Sequence, residues 1–147
     1  MSVEAGSGNG VKAWRVGAQW DWQSKWLQGP EYHVGGYWDL QLGQWKGASN
    51  ITDLGLTPTF RLQRNDGLGA YAEAAIGFHY LSGKNITTAK QFSTNFQFGD
   101  HIGAGYRFGD KGKYDLSLRL QHLSNGGIKK PNPGVNLTLV RFQYHFD

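Results

Sequence analysis

Along most of the chain, apolar and polar residues alternate one by one, the period of a β-strand whose two faces meet different surroundings. Trp14, Val16, Ala18, Trp20 and Trp22 fall on one face; Arg15, Gly17, Gln19 and Asp21 fall on the other. Helical spacing would mix the two sets, so the pattern predicts a strand. Trp38, Leu40 and Leu42 likewise oppose Tyr37, Asp39 and Gln41, and Leu54, Leu56, Pro58, Phe60 and Leu62 oppose Thr57, Thr59, Arg61 and Gln63. Further on, Ala72, Ala74, Ile76, Phe78 and Tyr80 oppose Tyr71, Glu73, Gly77 and His79. Phe98, Asp100, Ile102, Ala104, Tyr106 and Phe108 oppose Gln97, His101, Gly103, Gly105 and Arg107. The last two runs set Leu116, Leu118, Leu120, His122 and Ser124 against Ser117, Arg119 and Gln121, then Asn136, Thr138, Val140, Phe142, Tyr144 and Phe146 against Arg141 and Gln143. A short run at residues 3–7 makes eight. Gly8-Asn9-Gly10, Asp66-Gly67 and residues 109–113 read as turns, and residues 82–94 as a longer polar loop.

These runs have about the length of a transmembrane strand, ~9–11 residues. In a soluble sandwich or a lipocalin-like ligand-binding barrel, the apolar face is the core. In an outer-membrane barrel the assignment inverts: apolar residues meet lipid, and Arg15, Asp39, Arg61, Glu73 and Arg119 pair inside. Periodicity does not choose between them. Trp and Tyr on the apolar face near strand ends, and the alternating aromatic ending from Phe142 to Phe146, favour the membrane reading. The mean hydropathy of −0.53 does not oppose it, because lipid-facing and lumen-facing residues average out. The expected fold is therefore all-β, an eight-stranded antiparallel up-and-down transmembrane barrel over residues 1–147 as a single domain.

The chain has no cysteine, which excludes disulfides, a thiolate nucleophile and thiolate metal sites. Met1-Ser2-Val3-Glu4 leads straight into patterned sequence, as expected of the mature form of an exported protein with a start Met added. The net charge of +4 points to an anionic partner. Nucleic acid is one candidate, but Lys and Arg are scattered rather than striped, so a phosphorylated or anionic lipid fits as well.

One stretch stands apart from the strand pattern: His122-Leu123-Ser124-Asn125-Gly126-Gly127, followed by a Pro/Asn/Gly-rich turn that leads to Asn136. Alternate strand residues share a face, so His122 and Ser124 point the same way, as a base and a hydroxyl nucleophile must. The H-x-S pair alone is weak, but its face is the one assigned to lipid. With both chain ends on the periplasmic side, Phe98, Asp100, His122, Ser124 and Asn136 converge at the outer-leaflet end of that face. Polar groups there are costly, and their clustering points to lipid-processing chemistry. His79 and His101 face inward and belong to a polar lumen network, as does Glu73. No metal site or organic cofactor is expected. Asn-Ile-Thr at Asn50 and Asn85 is a glycosylation signal only in a eukaryotic secreted protein, which this composition does not suggest.

The sequence resembles the bacterial outer-membrane lipid A 3-O-deacylases. The likeness covers nearly the whole chain: Trp20-Asp21-Trp22, Gly36-Tyr37-Trp38-Asp39, residues 98–105, and most specifically H-x-S-N with P-N and G following. The resemblance implies an esterase of the outer membrane that cleaves the 3-position ester of lipid A in lipopolysaccharide, with Ser124 as nucleophile and His122 as base. The family pattern carries an acidic residue where this chain has Asn136. An Asn still accepts a hydrogen bond from an imidazole N–H, as in Cys-His-Asn hydrolases, but brings no negative charge. Asp100 is the alternative orienting group; Asn136 is the expected one, with Asp100 and Phe98 at the lipid-contacting rim. The backbone of Gly126 and Gly127, or the Asn125 side chain, is expected to hold the oxyanion. Asn132 is a substrate-positioning candidate or a turn residue, and Lys129 and Lys130 are candidates for lipid phosphates or a solvated loop face. The rivals are a non-enzymatic envelope barrel with a degenerate site and a soluble ligand-binding barrel.

Overall fold

The computed structural model describes residues 1–47, 50–83, 95–124 and 134–146. The alternating runs become β1 (Ser2–Gly8), β2 (Val11–Asp21), β3 (Tyr32–Lys46), β4 (Asn50–Arg64), β5 (Gly69–Leu81), β6 (Phe96–Phe108), β7 (Tyr114–Ser124) and β8 (Val135–Tyr144). Each strand pairs antiparallel with the next, and β8 returns to β1 through pairs from Ser2↔Gln143 to Ser7↔Thr138, so the sheet is a closed up-and-down barrel. Closure leaves no sheet edge, which a lipid surrounding could not satisfy.

The faces fall as the alternation predicts, and their environments are those of a membrane barrel. Leu118 is 50% exposed on the outer wall while its neighbour Arg119 is 2% exposed in the lumen. Leu54, Leu56, Phe60, Leu62, Ile76 and Ile102 also look outward. A soluble barrel would bury these and expose the arginines; the soluble alternative is excluded on that ground. Aromatic rings gather toward both rims, as interfacial girdles do. Trp22 makes edge contacts with Trp26, Trp38 and Phe60 toward one end, and Phe96 and Phe98 pack together toward the other.

The strands differ from the expected ~9–11 residues in one respect. β3 and β4 run to 15 residues and β5 and β6 to 13. At a 45° tilt, 15 residues reach about 35 Å, more than the apolar band requires. Their polar ends, Lys46, Asn50 and Arg64, carry them past it.

The lumen has two parts. Through its middle runs a network of buried charges. Arg119 on β7 reaches Glu73 on β5 at 2.9 Å, Glu4 on β1 at 3.3 Å and Asp39 on β3 at 3.4 Å. Arg15 joins Glu4 and Asp53, and Arg61 joins Glu73 and Asp115. Tyr37 donates its hydroxyl to Glu73 at 2.7 Å. The network ties opposite walls together and fills the cross-section, so the interior is a packed polar core rather than a water channel. At the end away from the termini it gives way to an apolar plug: Val11, Ala13, Trp45, Ile51, Leu81, Leu123, Val135, Leu137 and Leu139. The sequence reading assigned the lumen to polar residues throughout. Leu123, Leu137 and Leu139 share lumen parity with Gln121 and Arg141, so this cap was present in the pattern.

Candidate active site

The apolar plug lies directly behind the candidate chemistry. Leu123 is fully buried in the lumen, so its neighbours His122 and Ser124 are turned to the outer wall. Leu137 and Val135 do the same for Asn136 on β8. Close-packed interiors transmit little slack, so the plug gives the three outward residues a rigid backing.

Strand register aligns them across the wall. His122 lies between Asp100 on β6 and Asn136 on β8, and Ser124 lies opposite Phe98. His122 Nδ1 and Asn136 Oδ1 are 2.6 Å apart. With the amide oxygen toward the ring, Nδ1 carries the hydrogen and donates it, and Nε2 keeps its lone pair. Asp100 is exposed beside them, but the hydrogen bond to the ring is made by Asn136. Ser124 is half-buried at the last position of β7. Phe98 packs against Phe78 and Phe96 and flanks the serine side of the site.

Gly134, just before β8, has φ +70°, and a Cβ there would stand 2.6 Å from His122 Cε1. Only glycine lets the returning chain lie this close to the imidazole. In the sequence this residue stands both as the glycine that follows P-N in the motif and as a turn residue, and neither reading places it against His122. Asn125, Gly126, Gly127, Lys129, Lys130 and Asn132, the other residues expected at the site, lie outside the described residues.

The outer wall from β4 to β8 carries an open groove of about 830 Å³. Phe60, Ala74, Ile76, Ile102 and Leu120 supply its apolar lining, and Asp100, His122, Asn136 and Thr138 mark its polar end. Pro58 borders the far side, where the β4–β5 ladder is interrupted between Leu56↔Phe78 and Thr59↔Ala75; proline has no N–H to continue it. No sequence signal had pointed to this groove, because it depends on how five strands curve together.

The inward histidines belong to the lumen. His79 Nδ1 meets Asp53 at 2.7 Å and His101 Nε2 meets Glu73 at 3.3 Å. Among the described residues, no cluster of three or more His, Cys, Asp or Glu side chains is disposed to hold a metal ion.

Comparison with known proteins gives the family and the fold. Residues 12–145 match the family model described as lipid A 3-O-deacylase (PagL). The chain is 30% identical over 133 residues to lipid A deacylase PagL of Pseudomonas aeruginosa, covering 88% of this chain and 75% of that protein. It is 40% identical over 76 residues to lipid A deacylase PagL of Bordetella bronchiseptica, covering 52% of this chain and 41% of that one. Its fold superposes on the crystal structure of the outer membrane enzyme PagL with a TM-score of 0.89 at 27% identity, over 99% of this chain and 98% of that one. The chain therefore belongs to the lipid A 3-O-deacylase (PagL) family of ester hydrolases.

Proposed function

We propose that this protein hydrolyses the ester-linked acyl chain at the 3-position of lipid A from the outer-leaflet side of the bacterial outer membrane. Ser124 is the nucleophile, His122 the general base and Asn136 the group that orients the base. The observation that carries this reading is the 2.6 Å bond between His122 Nδ1 and Asn136 Oδ1 on the apolar outer wall. It selects the tautomer whose Nε2 accepts a proton, two residues along the strand from Ser124.

In this mechanism Nε2 takes the hydroxyl proton as Ser124 Oγ attacks the ester carbonyl carbon. The tetrahedral intermediate collapses, the C–O bond to the sugar breaks, and the imidazolium returns its proton to the departing alkoxide. Water then attacks the acyl-enzyme with the same base, releasing a fatty acid and regenerating Ser124. The Nδ1 proton stays shared with Asn136 throughout. The groove leading from His122 toward Phe60 suits the acyl chain, whose apolar surface gains nothing by entering a polar lumen. The basic net charge suits the phosphates of lipopolysaccharide.

The test is direct. Detergent-purified protein is incubated with lipopolysaccharide, and the lipid A is analysed by tandem mass spectrometry. Loss of one acyl group, mapped to the 3-position, is the expected result. Loss from another position would refute the regiochemistry. An unchanged spectrum would instead support the inert-barrel reading that the missing acid at position 136 invites.

A further inference from the structure

We propose that Asn9, in the turn between β1 and β2, is a positioning residue for this hydrolysis, acting on His122 through Asn136; it rests on the site reading given above. β1 and β8 close the barrel through main-chain pairs that end at Ser7↔Thr138. Two residues earlier on β8 lies Asn136, where β1 has already turned away: Gly8 pairs with Val11 across the two-residue turn Asn9-Gly10. There the backbone N–H of Asn136 donates to Asn9 Oδ1 at 2.7 Å. The Asn9 side chain supplies the acceptor that the β1 main chain no longer offers.

The turn is built for this. Asn9 has φ +50° and Gly10 φ +79°, the two left-handed residues that tight hairpins favour, and Asn is among the few side chains that accept this conformation. Gly8 permits the close approach of the two strands here, since a Cβ there would come within 1.9 Å of the Asn136 carbonyl oxygen. The Asn136 main chain is thus held at its N–H by Asn9 and lies close against Gly8 at its carbonyl. Both contacts cross the seam between the first and last strands.

The consequence for catalysis follows from the charge of residue 136. A carboxylate would draw the imidazolium toward itself over a range of positions. A neutral amide does not, so the backbone that carries it must set its place. An unpaired N–H at the start of a strand facing lipid would also be costly and would favour fraying. The bond to Asn9 removes that freedom at the very residue whose side chain meets His122.

Asn9→Gly keeps the left-handed turn and deletes the acceptor; Asn9→Asp keeps a side-chain oxygen in place. With full-length protein in detergent and lipopolysaccharide as substrate, Asn9→Gly is expected to lower kcat about five- to tenfold with KM nearly unchanged. Asn9→Asp is expected to stay within about twofold of wild type. In an Asn136→Ala background, Asn9→Gly should lower kcat no further, because its effect runs through the deleted amide. Wild-type kcat in Asn9→Gly, equal losses in the Gly and Asp variants, or an undiminished loss in the Asn136→Ala background would each overturn the proposal. Failure of the underlying site reading is visible separately: Ser124→Ala or Asn136→Ala would then turn over at the wild-type rate, and the Asn9 proposal would fall with it.

Discussion

A neutral amide beside an imidazole holds it by direction, where a carboxylate would also hold it by charge. Asn136 still fixes the tautomer of His122 through its 2.6 Å contact, and in the proposed mechanism it leaves the imidazolium without an anionic neighbour at that contact. Asn136→Glu restores one. The variant should keep or raise activity, and the rising limb of its pH–rate profile should move to higher pH, because the carboxylate favours the protonated ring. Asp100→Asn should be mild. Near-complete loss in Asp100→Asn, with Asn136→Ala tolerated, would give the orienting role to Asp100. Gly134→Ala places a methyl against His122 and strains a left-handed backbone at a cost of about 1–2 kcal/mol; turnover should fall more than stability does. Wild-type turnover in Gly134→Ala would show that the imidazole has room to move.

At the scale of the strand, parity decides what each residue meets. Leu118 faces outward and Ser117 inward at 5% exposure. A charge at Leu118 near the bilayer midplane should cost ~2–4 kcal/mol of folding stability in lipid, measured by urea titration of the reconstituted barrel. A neutral Leu118→Arg would contradict the membrane assignment of that face. This level of organisation was legible in the sequence, because a period of two states which residues share a face. The composition of each face then indicated lipid or lumen. Asp100, His122, Ser124 and Asn136 were placed on one wall by the same count. Asn9 was read only as half of an Asn-Gly turn. Its role depends on β1 meeting β8, a contact between residues 127 apart, and on a side-chain direction that periodicity does not encode. The groove and the fit of Gly134 against His122 escaped for a similar reason: both depend on the curvature of the wall and not on the order of residues.

Across the whole molecule, a packed charged interior backs the outer wall that carries the proposed site. The charges of Arg15, Arg61 and Arg119 are buried but shared among Glu4, Asp39, Asp53, Glu73 and Asp115, so removing one partner leaves others uncompensated. Arg119→Met should destabilise the barrel by about 3–5 kcal/mol, while kcat measured where the variant remains folded stays close to wild type. A selective loss of kcat without loss of stability would mean that the network reaches the site directly. Acid acts at the opposite rim. Burial pushes the His145 imidazole below its ordinary value of 6.5, against the opposing pull of Asp115 at 2.8 Å. Below that pH the unfolded chain binds a proton that the folded one resists, so stability falls as the pH drops, and His145→Gln should lessen the fall. The claim on which everything else stands is that Ser124, on the outer wall, carries out the acyl transfer. Wild type and Ser124→Ala, both verified as folded, are given lipopolysaccharide side by side, and the lipid A is weighed by mass spectrometry over time. The account predicts loss of one acyl chain with wild type and a rate lower by about a thousandfold or more with Ser124→Ala; deacylation by Ser124→Ala at a rate near wild type would contradict it.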